Sequence, residues 1–248
     1  MKLRHTLGLL CILSLSAHAE ILSVHCPLGC PSNPKANDLV FTHIYALSNN
    51  PMTKFADWVA YEVNPINYGV SPGRNWNSDP LINESKTLEP SDYTGANSSE
   101  LEADRGHQAP LASFAGSRYW YEANYLSNIT PQDEDLNQGP WKELEDKVRD
   151  VASYEDPLYV VTGPLFNSEM NKLPKADEDH VVPFAYFKIV YNRKGAVGFI
   201  MAQSTERNDG YCSKTSSIRS IQELTSFELP SLVDNIKLKT ELGCNNEH

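Results

Sequence analysis

The densest runs of β-branched and aromatic residues are Leu39 to Leu47 and Asp57 to Val63, which read as strands. Ser48-Asn49-Asn50-Pro51 supplies a polar turn between them. Residues 64–100 are rich in Asn, Ser, Pro and Gly with little periodicity, which predicts a long loop carrying Arg74-Asn75-Trp76. Leu158 to Thr162 reads as a short buried strand, and Phe184 to Tyr191 and Ala196 to Ala202 flank a hairpin signal, Asn192-Arg193-Lys194-Gly195. The strongest helix pattern runs from Pro140 to about Ser153. Gly139 can cap it, and Pro140 suits a first helical position that needs no amide hydrogen. Trp141, Leu144, Val148 and Val151 recur at spacings of three and four and predict a core-facing stripe. Residues 217–229 predict a second helix with Ile218, Ile221 and Leu224 on one face. There is no internal repeat, so the pattern predicts one mixed α+β domain over residues 20–248.

Residues 1–19 are set apart from that domain. Lys2 and Arg4 precede an apolar run from Leu7 to Leu15, and Ala17-His18-Ala19 offers small residues around a cut. This is the layout of a secretory signal peptide and predicts an exported, extracellular or periplasmic protein. Four cysteines then remain: Cys26, Cys30, Cys212 and Cys244. An even count in an exported chain predicts two disulfides. Cys26 and Cys30 share a Pro/Gly-rich turn and are expected to pair locally, leaving Cys212 with Cys244. A four-cysteine zinc site is disfavoured because the second pair is too widely spaced for a knuckle.

The chain carries 21 basic and 32 acidic residues, a net charge of −11, and loss of Lys2 and Arg4 with the leader makes it −13. Such a surface does not hold a polyanion by bulk attraction. Any contact with nucleic acid must be local, through a few placed arginines and a divalent cation. Fewer released counterions also imply tolerance of salt. No Gly-x-Ser-x-Gly elbow, His-Glu-x-x-His helix or phosphate-cradling Gly-x-x-x-x-Gly-Lys motif occurs. No apolar run reaches the ~20 residues that span a bilayer, so no membrane partner is expected.

The stretch from Asp104 to Arg149 holds the candidate chemistry. Hydrolysis of a phosphodiester needs a base for the attacking water, cations for the charge gathering on phosphorus, and neutralisation of the departing oxygen. Of the histidines at 25, 43, 107, 180 and 248, only His107 has such company: Arg105 lies two residues before it, and Gly106 intervenes. In an extended chain Arg105 and His107 share a face, and Gly106 is expected to let a substrate backbone come close. Glu145 and Arg149, four apart on the predicted helix, also share a face, with Asn137 in a turn just before it.

Asp104-Arg105-Gly106-His107, followed by Asn128 and Leu136-Asn137-Gln138-Gly139, resembles the DNA/RNA non-specific endonuclease family. The likeness extends from the Cys26/Cys30 turn through Lys54–Tyr61 and Arg74-Asn75-Trp76 to Thr162-Gly163-Pro164-Leu165, and weakens after Ala202. The resemblance implies a central antiparallel sheet flanked by helices, with a ββα-metal unit at the active site. It implies His107 as general base and Asn137 as the one direct protein ligand of a hydrated Mg²⁺, with Mn²⁺ left open as an alternative. Glu145 would support the ion through water. Arg74, Arg105 and Arg149 would bind phosphate, Asn128 would help position base and substrate, and Asp104 would orient its own loop. The implied partners are DNA and RNA, contacted mainly through phosphates and cut to 5′-phosphate ends, by a monomer or a homodimer.

Overall fold

The computed structural model describes residues 21–32, 36–166, 170–230 and 232–245, so the expected leader lies outside the described residues. Along the chain come strands β1 (Asp38–Phe41), β2 (Ala46–Asn50), β3 (Phe55–Val63), β4 (Ala103–His107) and β5 (Ile129–Asp133). A helical turn α1 (Glu134–Leu136) and helix α2 (Lys142–Val151) follow, then β6 (Leu158–Leu165), β7 (Ala185–Asn192), β8 (Gly195–Ala202) and β9 (Thr215–Ser216). Helices α3 (Ile218–Thr225) and α4 (Ile236–Glu241) complete the strands and α-helices, with short tighter or wider helical turns between them. Seven strands form one antiparallel sheet in the order β1-β2-β3-β6-β7-β8-β9, and β4 and β5 form a separate ribbon.

Each sheet face has its own core because side chains alternate along a strand. Val59, Tyr61 and Val63 of β3 pack with Trp141, Leu144 and Val148 on one side. Trp58 and Ala60 pack with Ile218 and Ile221 of α3 on the other. The predicted stripe of α2 is therefore the face that meets the sheet. The β7–β8 hairpin closes on the pair Asn192↔Gly195, where Asn192 Oδ1 accepts from Lys194 N at 2.9 Å and Gly195 has φ 148°. Cys26 is bonded to Cys30 and Cys212 to Cys244, as the spacing predicts.

Three expectations are corrected. The run Leu39 to Leu47 is two strands, because the Thr42 hydroxyl accepts from Ile44 N and Tyr45 N and turns the chain between them. Ser48, Asn49 and Asn50 are not a turn but the buried end of β2. Their polarity is met from neighbouring segments: Asn50 Nδ2 donates to Asp57 Oδ1 at 3.0 Å, and Asn49 Nδ2 to Lys86 O at 3.0 Å. The chain turns after them instead, reaching Lys54 in the left-handed region at φ 71°. In the third case α3 stops at Thr225, with Ser226 at φ 58°, and Leu224 is 41% exposed while Ile218 and Ile221 are buried.

Candidate active site

The β4–β5 ribbon pairs Asp104↔Gln132, Arg105↔Pro131, Gly106↔Thr130 and His107↔Ile129, and leads through α1 and a kink at Gly139 into α2. One cleft of about 940 Å³ is lined by residues of β4, the turn before α2, α2 itself and neighbouring loops, among them Arg74, Arg105, His107, Asn137, Glu145 and Arg149. Six of the seven residues expected to act on substrate or metal thus meet in one place. Asn128 is the exception.

Asn128 is fully buried in the wall. Its Oδ1 accepts from Ala109 N at 2.8 Å, and its Nδ2 donates to Ala109 O at 2.9 Å and Ala123 O at 2.8 Å. It clamps the segment after His107 to the segment before Asn124. The side chain that touches the imidazole is Asn124, whose Oδ1 lies 3.0 Å from His107 Nε2. Sequence reading missed Asn124, since nothing in Glu-Ala-Asn-Tyr distinguishes it from any buried asparagine. Trp76 packs on the same imidazole with ring centroids 5.2 Å apart. Burial drives the His107 pKa down to about 4 from the ordinary 6.5; the Asn124 hydrogen bond opposes this and the positive Arg74 adds to it. The ring is neutral at neutral pH and able to accept a proton.

Gly106 has a different reason from the one expected. A Cβ there would lie 2.3 Å from Gln132 Oε1, so glycine accommodates the paired strand rather than a substrate. Gly139 is similarly constrained, because a Cβ would lie 2.4 Å from Arg207 O. Asp104 also does more than orient its own loop. Its Oδ2 accepts from Asn137 Nδ2 at 2.8 Å and from Gln138 Nε2 at 2.9 Å, tying β4 to the turn before α2. A carboxylate only accepts, so it fixes which way the Asn137 amide points. The carbonyl oxygen of Asn137 is left without a protein partner among the described residues, on a side chain that lines the cleft.

The cations are held in three ways. Arg74 is exposed at the cleft. Arg105 donates to Pro90 O at 3.1 Å and lies over the rings of Trp76 and Tyr93, 5.5 and 5.2 Å from their centroids. Arg149 pairs with Asp146 one turn earlier on α2. Glu145 Oε1 accepts from Lys188 Nζ at 3.3 Å. Burial raises the Glu145 pKa and lowers that of Lys188, and each partner offsets part of the other's shift. Lys188 was also missed, although a lysine inside the apolar run Phe184 to Tyr191 is a visible signal.

The amide oxygen of Asn137 and the carboxylate of Glu145, which line the same cleft, are hard-oxygen donors suited to Mg²⁺, which keeps most of its waters and takes few protein ligands. Asp92, Asp177 and Glu178 also bring carboxylate oxygens within 4.8 Å of one another, but none of them lines the cleft.

The DNA/RNA non-specific endonuclease family model matches residues 24–235. A Serratia marcescens protein named "Nuclease" is 41% identical, with 90% of each chain covered. A Nostoc nuclease is 28% identical over 91% of this chain and 87% of its own, and bovine mitochondrial endonuclease G is 30% identical over 59% and 51%. In fold, a chain in the crystal structure of the EndoG/EndoGI complex superposes with a TM-score of 0.69 at 19% identity, covering 85% of this chain and 91% of that one. With the family model spanning most of its length and a relative this similar over nine-tenths of it, this chain belongs to the DNA/RNA non-specific endonucleases.

Proposed function

We propose that this nuclease is an exported enzyme that hydrolyses phosphodiester bonds in both DNA and RNA with the help of Mg²⁺, leaving 5′-phosphate ends. One observation carries the reading: a neutral, Asn124-held imidazole and the unpartnered carbonyl oxygen of Asn137 line the same cleft as three arginines.

His107 takes the proton of the attacking water. Asn124 accepts from Nε2, so Nδ1 is the proton-free nitrogen that serves as base. Arg74, Arg105 and Arg149 face the charge that gathers on the phosphoryl oxygens. Asn137 would hold the ion directly and Glu145 through water, with Asp104 keeping the amide turned the right way. When bound, the ion supplies charge stabilisation at the phosphate and the departing oxygen. Contacts made mainly to phosphate carry no base sequence and accommodate either sugar. Export is supported by the leader-like start and the two disulfides.

Plasmid DNA and an RNA transcript, incubated with the protein in Mg²⁺ or in EDTA, test the reading. Both polymers should be degraded only with metal, His107→Ala should lower the rate by at least about 10²-fold, and end-labelling should find 5′-phosphates. Gel retardation without fragments would instead mark a binding protein.

A further inference from the structure

Lys188 sits at the centre of the sheet with none of its surface exposed. It belongs to the β7 face that presents Tyr186 and Val190 to α2, with Thr162 and Phe199 as its cross-strand partners. A buried ammonium is costly, and packing at such a place is served as well by a methionine or leucine. Its neighbours show what the charge does there. Nζ is 3.3 Å from Glu145 Oε1, 3.4 Å from the Tyr61 hydroxyl and 4.2 Å from the centroid of Trp141. Arg149, one turn beyond Glu145, is the other cation acting on that carboxylate. Trp141 closes the turn that begins at Asn137. Lys188 therefore touches Glu145 and the far end of the Asn137 turn at once, from beneath both.

We propose that Lys188 is a positioning residue for the metal site: it pins one carboxylate oxygen of Glu145 and braces the Asn137–Trp141 turn, so that Glu145 presents its other oxygen to the water shell of a divalent cation. This rests on the Mg²⁺ reading above. The sheet, rather than the cleft wall, then sets where the ion's outer support lies. Glu145 stands on a helix held to the sheet by side-chain packing, whereas Lys188 is on a strand paired on both flanks by β6 and β8.

Calorimetric titration with Mg²⁺, without substrate, tests this in the full-length protein. Lys188→Met should weaken Mg²⁺ binding by about 10- to 100-fold, the usual loss when support behind a ligand is removed. Lys188→Arg, which keeps the charge, should recover part of it. In a Glu145→Ala background, Lys188→Met should add little, because the two act through one contact. If Lys188→Met proves insoluble, Lys188→Gln is read in the same way. Unchanged affinity in Lys188→Met while Glu145→Ala weakens binding overturns the proposal alone, as do losses that simply add. Absence of Mg²⁺ binding in the unsubstituted protein overturns the metal reading and this proposal with it.

Discussion

His107 Nε2 faces Asn124 Oδ1 at 3.0 Å, and Asn124 Nδ2 is in turn directed at Gly73 O, 3.4 Å away. The second contact orients the amide, so its oxygen must face the ring and Nε2 must carry the ring hydrogen. The same asparagine connects the His107 ring to the loop that carries Arg74. Asn124→Ala should therefore lower kcat by about 10²-fold, the lower end of what a general base supplies. KM should change less. Loss of this bond also removes an influence that raises the His107 pKa, so the acid limb of the pH profile should move down. A fall in kcat with an unmoved limb would mean that Asn124 only supports the wall.

The His107 shift makes a prediction of its own. An imidazole with its ordinary pKa of 6.5 loses its function as a base just below neutrality, whereas one near 4 remains neutral well into the acid range. In kcat/KM, which reports the free enzyme, the acid limb should lie nearer pH 4 than 6.5. Arg74→Ala removes a positive neighbour and should move that limb upward. Stability has a definite sign as well. The folded-state pKa lies below the unfolded one, so His107 favours the fold fully above about pH 6.5 and progressively less as pH falls towards 4. His107→Gln should flatten the thermal-melting profile across that window.

Asp104 offers a test of how Asn137, the proposed metal ligand, is held. Its Oδ2 accepts from both Asn137 and Gln138. Asp104→Asn can still contact the turn, but its own amide group no longer dictates which end of Asn137 faces the cleft. Mg²⁺ affinity, measured by titration calorimetry, should fall by about 10- to 100-fold. Affinity equal to that of the unsubstituted protein would show that Asn137 is oriented by something else.

What the sequence made legible depended on which force sets each element. The stripe Trp141, Leu144, Val148 on α2 was readable because helical periodicity and burial act together there. The β7–β8 hairpin was readable because its turn needs a residue like Gly195 at positive φ. The buried Ser48-Asn49-Asn50 was misread because composition reports polarity, while the partners Asp57 and Lys86 that satisfy it are supplied by the fold. Arg105 with His107, and Glu145 with Arg149, stand close along the chain and could be placed on shared faces, whereas Asn137, in the turn before the helix, was singled out by the family resemblance. Asn124 and Lys188 could not, since one reaches the ring from the wall 17 residues on and the other reaches Glu145 from a strand 43 residues further along the chain. Their meaning exists only through the atoms they touch.

The cleft also gives the expected salt tolerance a physical basis that can be tested. Five cations line it: Arg74, Arg105, Lys142, Arg149 and Arg207. Three already have carboxylate partners from the protein. Lys142 and Arg149 share Asp146, and Arg207 holds Glu134 at 2.8 Å and Asp135 at 2.7 Å. The Lys142 and Arg207 pairs are exposed, and such pairs are weak enough for a phosphate to displace; that of Arg149 is half-buried. Each exchange releases counterions from the nucleic acid but leaves a bare carboxylate that gathers cations, so the net release is smaller than for an unpaired arginine. Asp146→Asn removes that compensation for two cations. It should lower KM at low salt and steepen the slope of log KM against log salt by roughly 0.9 for each cation freed. Initial rates on one duplex substrate across a sodium chloride series measure both quantities. Parallel slopes for the two proteins would show that Asp146 does not compete with phosphate, and salt tolerance would then rest on the small number of ionic contacts alone.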